Sequence, residues 1–397
     1  MVSPRAPIDR RRFLGLGVAA TGVAVSACPA DEPRAESRTS GGMRYRPLGR
    51  TGLRVSEIAF GAHQVDNPPL MQAALDAGIN TFCTSGSYVD GREEESIGKV
   101  IRAIGPGRRD ELVLVTGESI RPGTARERIL ALIETSLRRL GTDHIDVYYL
   151  SEACSAADLR VDALFEAFEE ARRAGKVSHL AVSGHCGGMQ ACLEAAIDDG
   201  RFRMLFTKYD FVSYPEVGRI LHRAAERGIG TIVFKVDAGG RQREIRDLER
   251  GGLSFRQATL KWALANPDVA SVAVTITSFD QIKECTAAVG SRLTEAESEM
   301  LGRYAREMYD KYCRFCRTCE GRCPRGAAVA EVMRYAMYFS GYGREKEAMR
   351  LYAALPRERS AAACDGCTGP CEGACPFGRA IRAEMAAAHR RLTFVSA

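Results

Sequence analysis

Between residues 57 and 275 the chain repeats one unit: a short run rich in β-branched and aromatic residues, then a segment with apolar residues at helical spacing. The runs are 57–60, 81–84, 112–116, 145–150, 179–183, 204–208, 231–235 and 272–275. Between the third and fourth, residues 125–140 set Ile129, Leu132, Ile133 and Leu137 on one face, as a helix packed on a sheet requires. Eight such β/α units in about 230 residues are the arithmetic of an α/β fold of the TIM-barrel type, (β/α)8. An open doubly wound sheet shares the alternation, but it normally carries a glycine-rich turn after its first strand. None is present.

The composition agrees with a soluble globular protein. Of 397 residues, 45% are hydrophobic and 27% charged, which excludes collagen-like, coiled-coil and largely disordered chains. No run of 18 or more apolar residues occurs, which excludes a polytopic membrane protein. The unusual count is cysteine: there are 14, and eight of them lie between Cys313 and Cys375.

Those eight fall into two runs. Cys313-x2-Cys316-x2-Cys319-x3-Cys323-Pro324 matches the bacterial ferredoxin spacing. Cys364-x2-Cys367-x3-Cys371-x3-Cys375-Pro376 has one extra residue in its middle gap. Three thiolates on a short loop reach three corners of a cubane cluster, and in two-cluster ferredoxins the cysteine before proline ligates the other cluster. The expected sets are Cys313, Cys316 and Cys319 with Cys375, and Cys364, Cys367 and Cys371 with Cys323. Residues 329–339 and 344–354 read as helices between the runs, as in a small α-helical ferredoxin-like domain. The alternatives are a single cluster, zinc, which favours two separated pairs, and disulfides, which an oxidising compartment permits. From Leu301 to Ala397 there are 17 Lys and Arg against 10 Asp and Glu. The arginines Arg314, Arg317, Arg322 and Arg325 interleave with the cysteines, as counter-charges to an anionic cofactor would. No stacking aromatics accompany a nucleic-acid-binding motif, so nucleic acid is not an expected partner.

The N-terminus reads as an address. Asp9-Arg10-Arg11-Arg12-Phe13-Leu14 is a twin-arginine pattern followed by a short glycine-broken apolar stretch, as in an export signal. It ends in Val25-Ser26-Ala27-Cys28, which resembles a lipobox, with Cys28 the lipidated residue; plain cleavage near Ala27 or Ala30 is the competitor. Residues 29–42 are polar with Pro, Ser and Gly and read as a flexible tether.

The barrel residues also carry a family resemblance. Met43-Arg44-Tyr45-Arg46-Pro47-Leu48-Gly49-Arg50-Thr51-Gly52-Leu53 resembles the opening hairpin of bacterial aldo/keto reductases. Gly78-Ile79-Asn80-Thr81-Phe82, Asp143-His144-Ile145-Asp146-Val147-Tyr148 and Leu180-Ala181-Val182-Ser183-Gly184 resemble their second, fourth and fifth strands. The resemblance implies nicotinamide-dependent carbonyl reduction by an Asp, Tyr, Lys and His tetrad. Carried over by position, the aspartate is Cys83, the lysine Gly117 and the histidine Ser151, and only Tyr88 is kept. A phenol with a pKa near about 10 needs a neighbouring cation to protonate an alkoxide well. Lys235 is the expected substitute cation. The nicotinamide elements are reduced to Ser183 after the fifth strand and Phe234 in the seventh, with no glycine and arginine in Thr275-Ile276-Thr277-Ser278-Phe279. NADP(H) binding is therefore in doubt.

The expected organisation is an export signal at 1–28, a tether at 29–42, a barrel at 43–293, a linking helix at 294–310 and a two-cluster 4Fe–4S domain at 311–397. Tyr88, Lys235, His63, His185 and Glu118 are the expected catalytic groups at the barrel mouth. The expected function is an exported iron–sulfur oxidoreductase, periplasmic or lipid-anchored, whose clusters pass electrons between the mouth and a redox protein or quinone-linked donor. A carbonyl reductase with a rearranged site and an electron carrier on a decayed barrel are the alternatives. The twin-arginine translocase is the expected partner in export.

Overall fold

The computed structural model describes residues 38–393 apart from 41, 62, 64, 185–187, 213–216, 238–241, 250–251 and 309–312. Three short strands come first: β1 Arg38–Ser40, β2 Met43–Pro47 and β3 Arg54–Ser56, antiparallel throughout. Residues 38–40, expected as tether, are thus paired backbone. The barrel strands follow as β4 Ile58–Gly61, β5 Thr81–Cys83, β6 Val113–Glu118, β7 Ile145–Leu150, β8 Val177–Gly184, β9 Met204–Lys208, β10 Gly230–Phe234 and β11 Ser271–Val274. They close in sequence order, β11 pairing β4 through Val272 and Ile58. All eight expected strands are present, displaced by at most two residues at an end.

Strand alternation sends every second side chain inward. Ala59, Cys83, Val113, Val115, Val147, Tyr149, Ala181, Met204, Phe206 and Ile232 fill the interior. The alternate residues, such as Leu114, Tyr148 and Val182, pack against the surrounding helices. The hairpin before β4 plugs the N-terminal end with Leu48 and Val55, both within the interior cluster. Gly49 permits that approach: its φ is +55°, and a Cβ there would lie 2.4 Å from the Gly230 nitrogen. Arg46 fastens the plug, meeting Glu57 at 2.7 Å and donating to the carbonyls of Val269 at 2.8 Å and Leu264 at 2.9 Å.

The C-terminal segment is helical. Helices Val329–Ser340, Glu345–Ala353 and Ile381–Leu392 bury Val332, Ala348, Tyr352, Met385 and Ala388. Two stretches repeat one another: Cys319-Glu320-Gly321-Arg322-Cys323-Pro324-Arg325-Gly326 and Cys371-Glu372-Gly373-Ala374-Cys375-Pro376-Phe377-Gly378. Each makes one 3-10 turn, Glu320–Arg322 or Glu372–Ala374, and ends on a glycine at φ +68° or +63°. Each then enters a helix whose early N–H, on Ala330 or Arg382, is bound by the glutamate of its own turn at 2.8 Å. Sequence and geometry together mark an internal duplication around the cysteines.

Candidate functional site at the barrel mouth and the cysteine runs

The two cysteine runs interlock. Cys313, Cys316, Cys319 and Cys375 line one small pocket together with Val329, Met333, Phe377 and Ile381. Burial, reinforced by Cys313, Cys316 and Cys375 nearby, pushes the Cys319 thiol up to about 12. In the other set, burial with Cys323, Cys371 and Cys367 close by pushes Cys364 up to about 11. All eight are free thiols. So each run contributes three cysteines to one group, and the cysteine before proline joins the group of the other run. Backbone N–H groups of Phe315, Ala327 and Gly369 point at the sulfurs of Cys313, Cys323 and Cys367, at 3.4, 3.3 and 3.5 Å. Phe315 and Arg317 hold positive φ of 54° and 59° without being glycine, so the loop around Cys316 is fixed by its surroundings against its own preference. Among the described residues no three His, Cys, Asp or Glu side chains converge as around a single ion. A cubane cluster asks for something wider, because each thiolate holds a different iron corner.

The barrel mouth differs from the family tetrad in substance as well as letters. Gly117 ends the inward-facing series of β6, and a Cβ there would lie 2.0 Å from the Tyr149 carbonyl oxygen and 2.7 Å from its ring. Tyr149 therefore fills the volume a lysine would need, and its hydroxyl donates to the Thr84 carbonyl at 2.7 Å. Tyr149, Phe206 and Phe234 stack edge to face across the top of the interior, with centroids 5.4 and 4.7 Å apart. Phe234 is thus part of this packed lid, and Ser183 is buried on β8. Cys83 is buried, and its thiol is pushed far up by desolvation.

Glu118 is a correction. Inward-facing Val113, Val115 and Gly117 alternate with outward-facing Leu114, Thr116 and Glu118, so the carboxylate leaves the mouth. It lies beneath Gly86, where a Cβ would meet its Oε1 at 2.0 Å. Burial and the nearby Glu94 raise its pKa, and Arg139 opposes them. His185 lies outside the described residues, as does Cys28.

The remaining expected groups do meet, joined by residues from the C-terminal helices. His63 packs on Tyr88 at 4.6 Å between ring centroids. Burial, Arg344 and Lys235 lower the His63 pKa to about 3, so it is neutral at pH 7 and its 3.9 Å approach to Glu347 is not an ion pair. Tyr88 is tuned in the wrong direction for an acid: burial, then Glu93, push its pKa far up. The Lys235 ammonium, close enough to His63 to lower its pKa, hydrogen-bonds the Tyr338 hydroxyl at 3.2 Å. Tyr342 donates to Asp237 at 3.4 Å, and Arg314 donates to the Val212 carbonyl. Lys208, paired with Asp210 at 3.1 Å, sits 5.4 Å from the Phe315 ring. The C-terminal helices thus lie across the ends of the barrel strands. Sequence reasoning missed Tyr338, Tyr342 and Tyr149. The aromatic spacing of Tyr335, Tyr338 and Tyr342 was the available signal for the first two.

Comparison with known proteins agrees with the barrel. The aldo/keto reductase family model matches residues 62–243. An uncharacterized oxidoreductase, YrpG, of Bacillus subtilis is 29% identical over 314 residues, 65% of this chain and 95% of that protein. The L-galactose dehydrogenase of Arabidopsis thaliana is 24% identical over 64% of this chain and 90% of its own length. The solved holo form of an aldo-keto reductase from Bacillus halodurans superposes with a TM-score of 0.54 at 25% identity, covering 66% of this chain and 96% of that one. The family match ends before the cysteine runs. Over residues 62–243 the chain is similar to the aldo/keto reductase family, and oxidoreductases are among the proteins it matches.

Proposed function

We propose that this chain is an exported iron–sulfur oxidoreductase in which two 4Fe–4S clusters serve a reaction site at the barrel mouth. The observation that carries the reading is the crossed arrangement of eight free thiols into two groups of four. Bound there, each cluster would accept and release one electron. Cys313, Cys316, Cys319 and Cys375 would hold the first, and Cys364, Cys367, Cys371 and Cys323 the second. The N–H donors on Phe315, Ala327 and Gly369 stabilise thiolate charge. The buried Arg314, between a ligand and Phe315, offsets the negative charge of the first group. Phe315 touches the Lys208 ammonium of β9, which brings the first group against the barrel itself.

NADP(H) fits the mouth poorly. Tyr338 and Tyr342 occupy the ends of β10, and Tyr149 fills the lysine position. After β11 the helix Phe279–Thr286 has an N-terminus already used: Ser278 accepts from Gln281 N at 3.3 Å, and Gln281 accepts from Thr277 N at 2.8 Å. Asp280 adds negative charge to that first turn, where a pyrophosphate needs positive charge. NADPH with simple aldehydes should accordingly be consumed far below a typical enzyme rate. Turnover at about 1 per second or faster would restore the nicotinamide-dependent carbonyl reductase reading.

Export is part of the proposal. It rests on the Arg10-Arg11 pattern and the short glycine-broken apolar stretch that follows it. Lysine at positions 10 and 11 should hold the precursor in the cytoplasm, and Cys28→Ala should free the mature protein from the membrane. Parent-like fractionation of both variants would contradict this address.

A further inference from the structure

We infer that Tyr338, delivered by an appended helix and paired with Lys235 of the barrel, is the proton-transferring phenol of the mouth, acting on a substrate oxygen that gains negative charge during reduction. This rests on the reading of the mouth as the reaction site. The barrel's own tyrosine, Tyr88, is half-buried beside Tyr149, and Glu93, Tyr338 and Glu152 around it all raise its pKa. The position from which a lysine would serve it is closed by the Tyr149 ring. Tyr338 has what Tyr88 lacks. Its hydroxyl is 3.2 Å from the Lys235 ammonium, and that ammonium also lies 5.3 Å from the centre of the Tyr338 ring.

The backbone supports this geometry. Lys235 holds φ +56°, a conformation unfavourable for a non-glycine residue that persists where surroundings impose it. It follows β10 directly, so the strain turns its side chain at the strand end toward the helix Val329–Ser340. Charge around the phenol is predominantly positive. Arg334, one turn earlier on the same helix, acts with Lys235 to lower the Tyr338 pKa despite burial, and Glu347 of the next helix opposes them more weakly. Lys208 of β9 adds its charge to the Lys235 ammonium, whose own pKa is lowered chiefly by burial. Among the other groups at the mouth, Asp237 takes the Tyr342 hydroxyl, Tyr335 lies 6.5 Å away between ring centroids, and His63 is neutral at pH 7.

The step is a proton transfer alone. The Tyr338 O–H bond breaks, a new O–H bond forms on the substrate oxyanion, and the phenolate left behind faces the Lys235 ammonium. Water then returns the proton to the phenolate. No electron moves within this step.

Ultraviolet difference titration of the holoprotein, which has 13 tyrosines, tests the assignment. One tyrosine should ionise ahead of the rest. That first step should vanish in Tyr338→Phe, survive in Tyr88→Phe and Lys235→Arg, and move up by about 1–3 pH units in Lys235→Met. The inference is overturned if no tyrosine ionises early, if the first step persists in Tyr338→Phe, or if it stays in place in a natively folded Lys235→Met. Should Lys235→Met fail to fold, Tyr338→Phe against Tyr88→Phe decides alone. The titration does not depend on where electrons come from, whereas iron and sulfide analysis does, so failure of the cluster reading is read separately.

Discussion

Gly117 shows what one residue can decide. Its missing side chain reads in the sequence as a lost lysine, but the structure gives the cause: the Tyr149 ring and carbonyl occupy the space. Restoring the family lysine is therefore an overpacking substitution, and Gly117→Lys should lower stability by about 1–3 kcal/mol or more, read as a lower midpoint in urea, without creating NADPH activity. His63 supplies a pH prediction. An unfolded histidine titrates near about 6.5, while this one is held down to about 3 by burial, Arg344 and Lys235. As pH falls below the unfolded value, the unfolded chain takes up a proton that the folded chain refuses, so stability drops until pH approaches the folded value. The urea midpoint should fall more between pH 7 and pH 5 in the parent than in His63→Gln. The departures at Cys83, Gly117 and Ser151 were legible because a family pattern fixes what each position should hold. Tyr149 was not, because nothing in a strand's sequence says which neighbour's empty volume its side chain will enter.

Elements were legible wherever a period governs them. The strands of the barrel and the helices flanking the cysteines lie within two residues of where periodicity put them. Glu118 was misplaced through neglect of that same period, since residues 113, 115 and 117 already face inward. The crossing of the cysteine runs makes a sharper claim. Cys375→Ser should expose Cys313, Cys316 and Cys319 to alkylation before Cys364, Cys367 and Cys371, as peptide mass analysis would show; the opposite order would mean that each run serves its own group. Where β9 meets the first run, Lys208 and Asp210 form an ion pair with side chains only 3% and 0% exposed, and Asp210 also takes the Val212 N–H at 2.8 Å. Asp210→Asn removes the carboxylate charge 3.1 Å from that buried ammonium, so it should lower the midpoint of a denaturant titration.

At the scale of the molecule, the decisive fact is where the C-terminal helices go. A barrel mouth and a cysteine-rich tail were each readable, but their junction was not, because contacts such as Lys235 to Tyr338 span 103 residues and leave no local pattern. At that junction the first thiol group lies against β9 and the phenol of Tyr338 beside the end of β10. The central claim is that these thiols hold two 4Fe–4S clusters. Iron and acid-labile sulfide measured on anaerobically purified protein test it most directly: about eight of each per chain are predicted, and zinc at one or two per chain with no sulfide would contradict it.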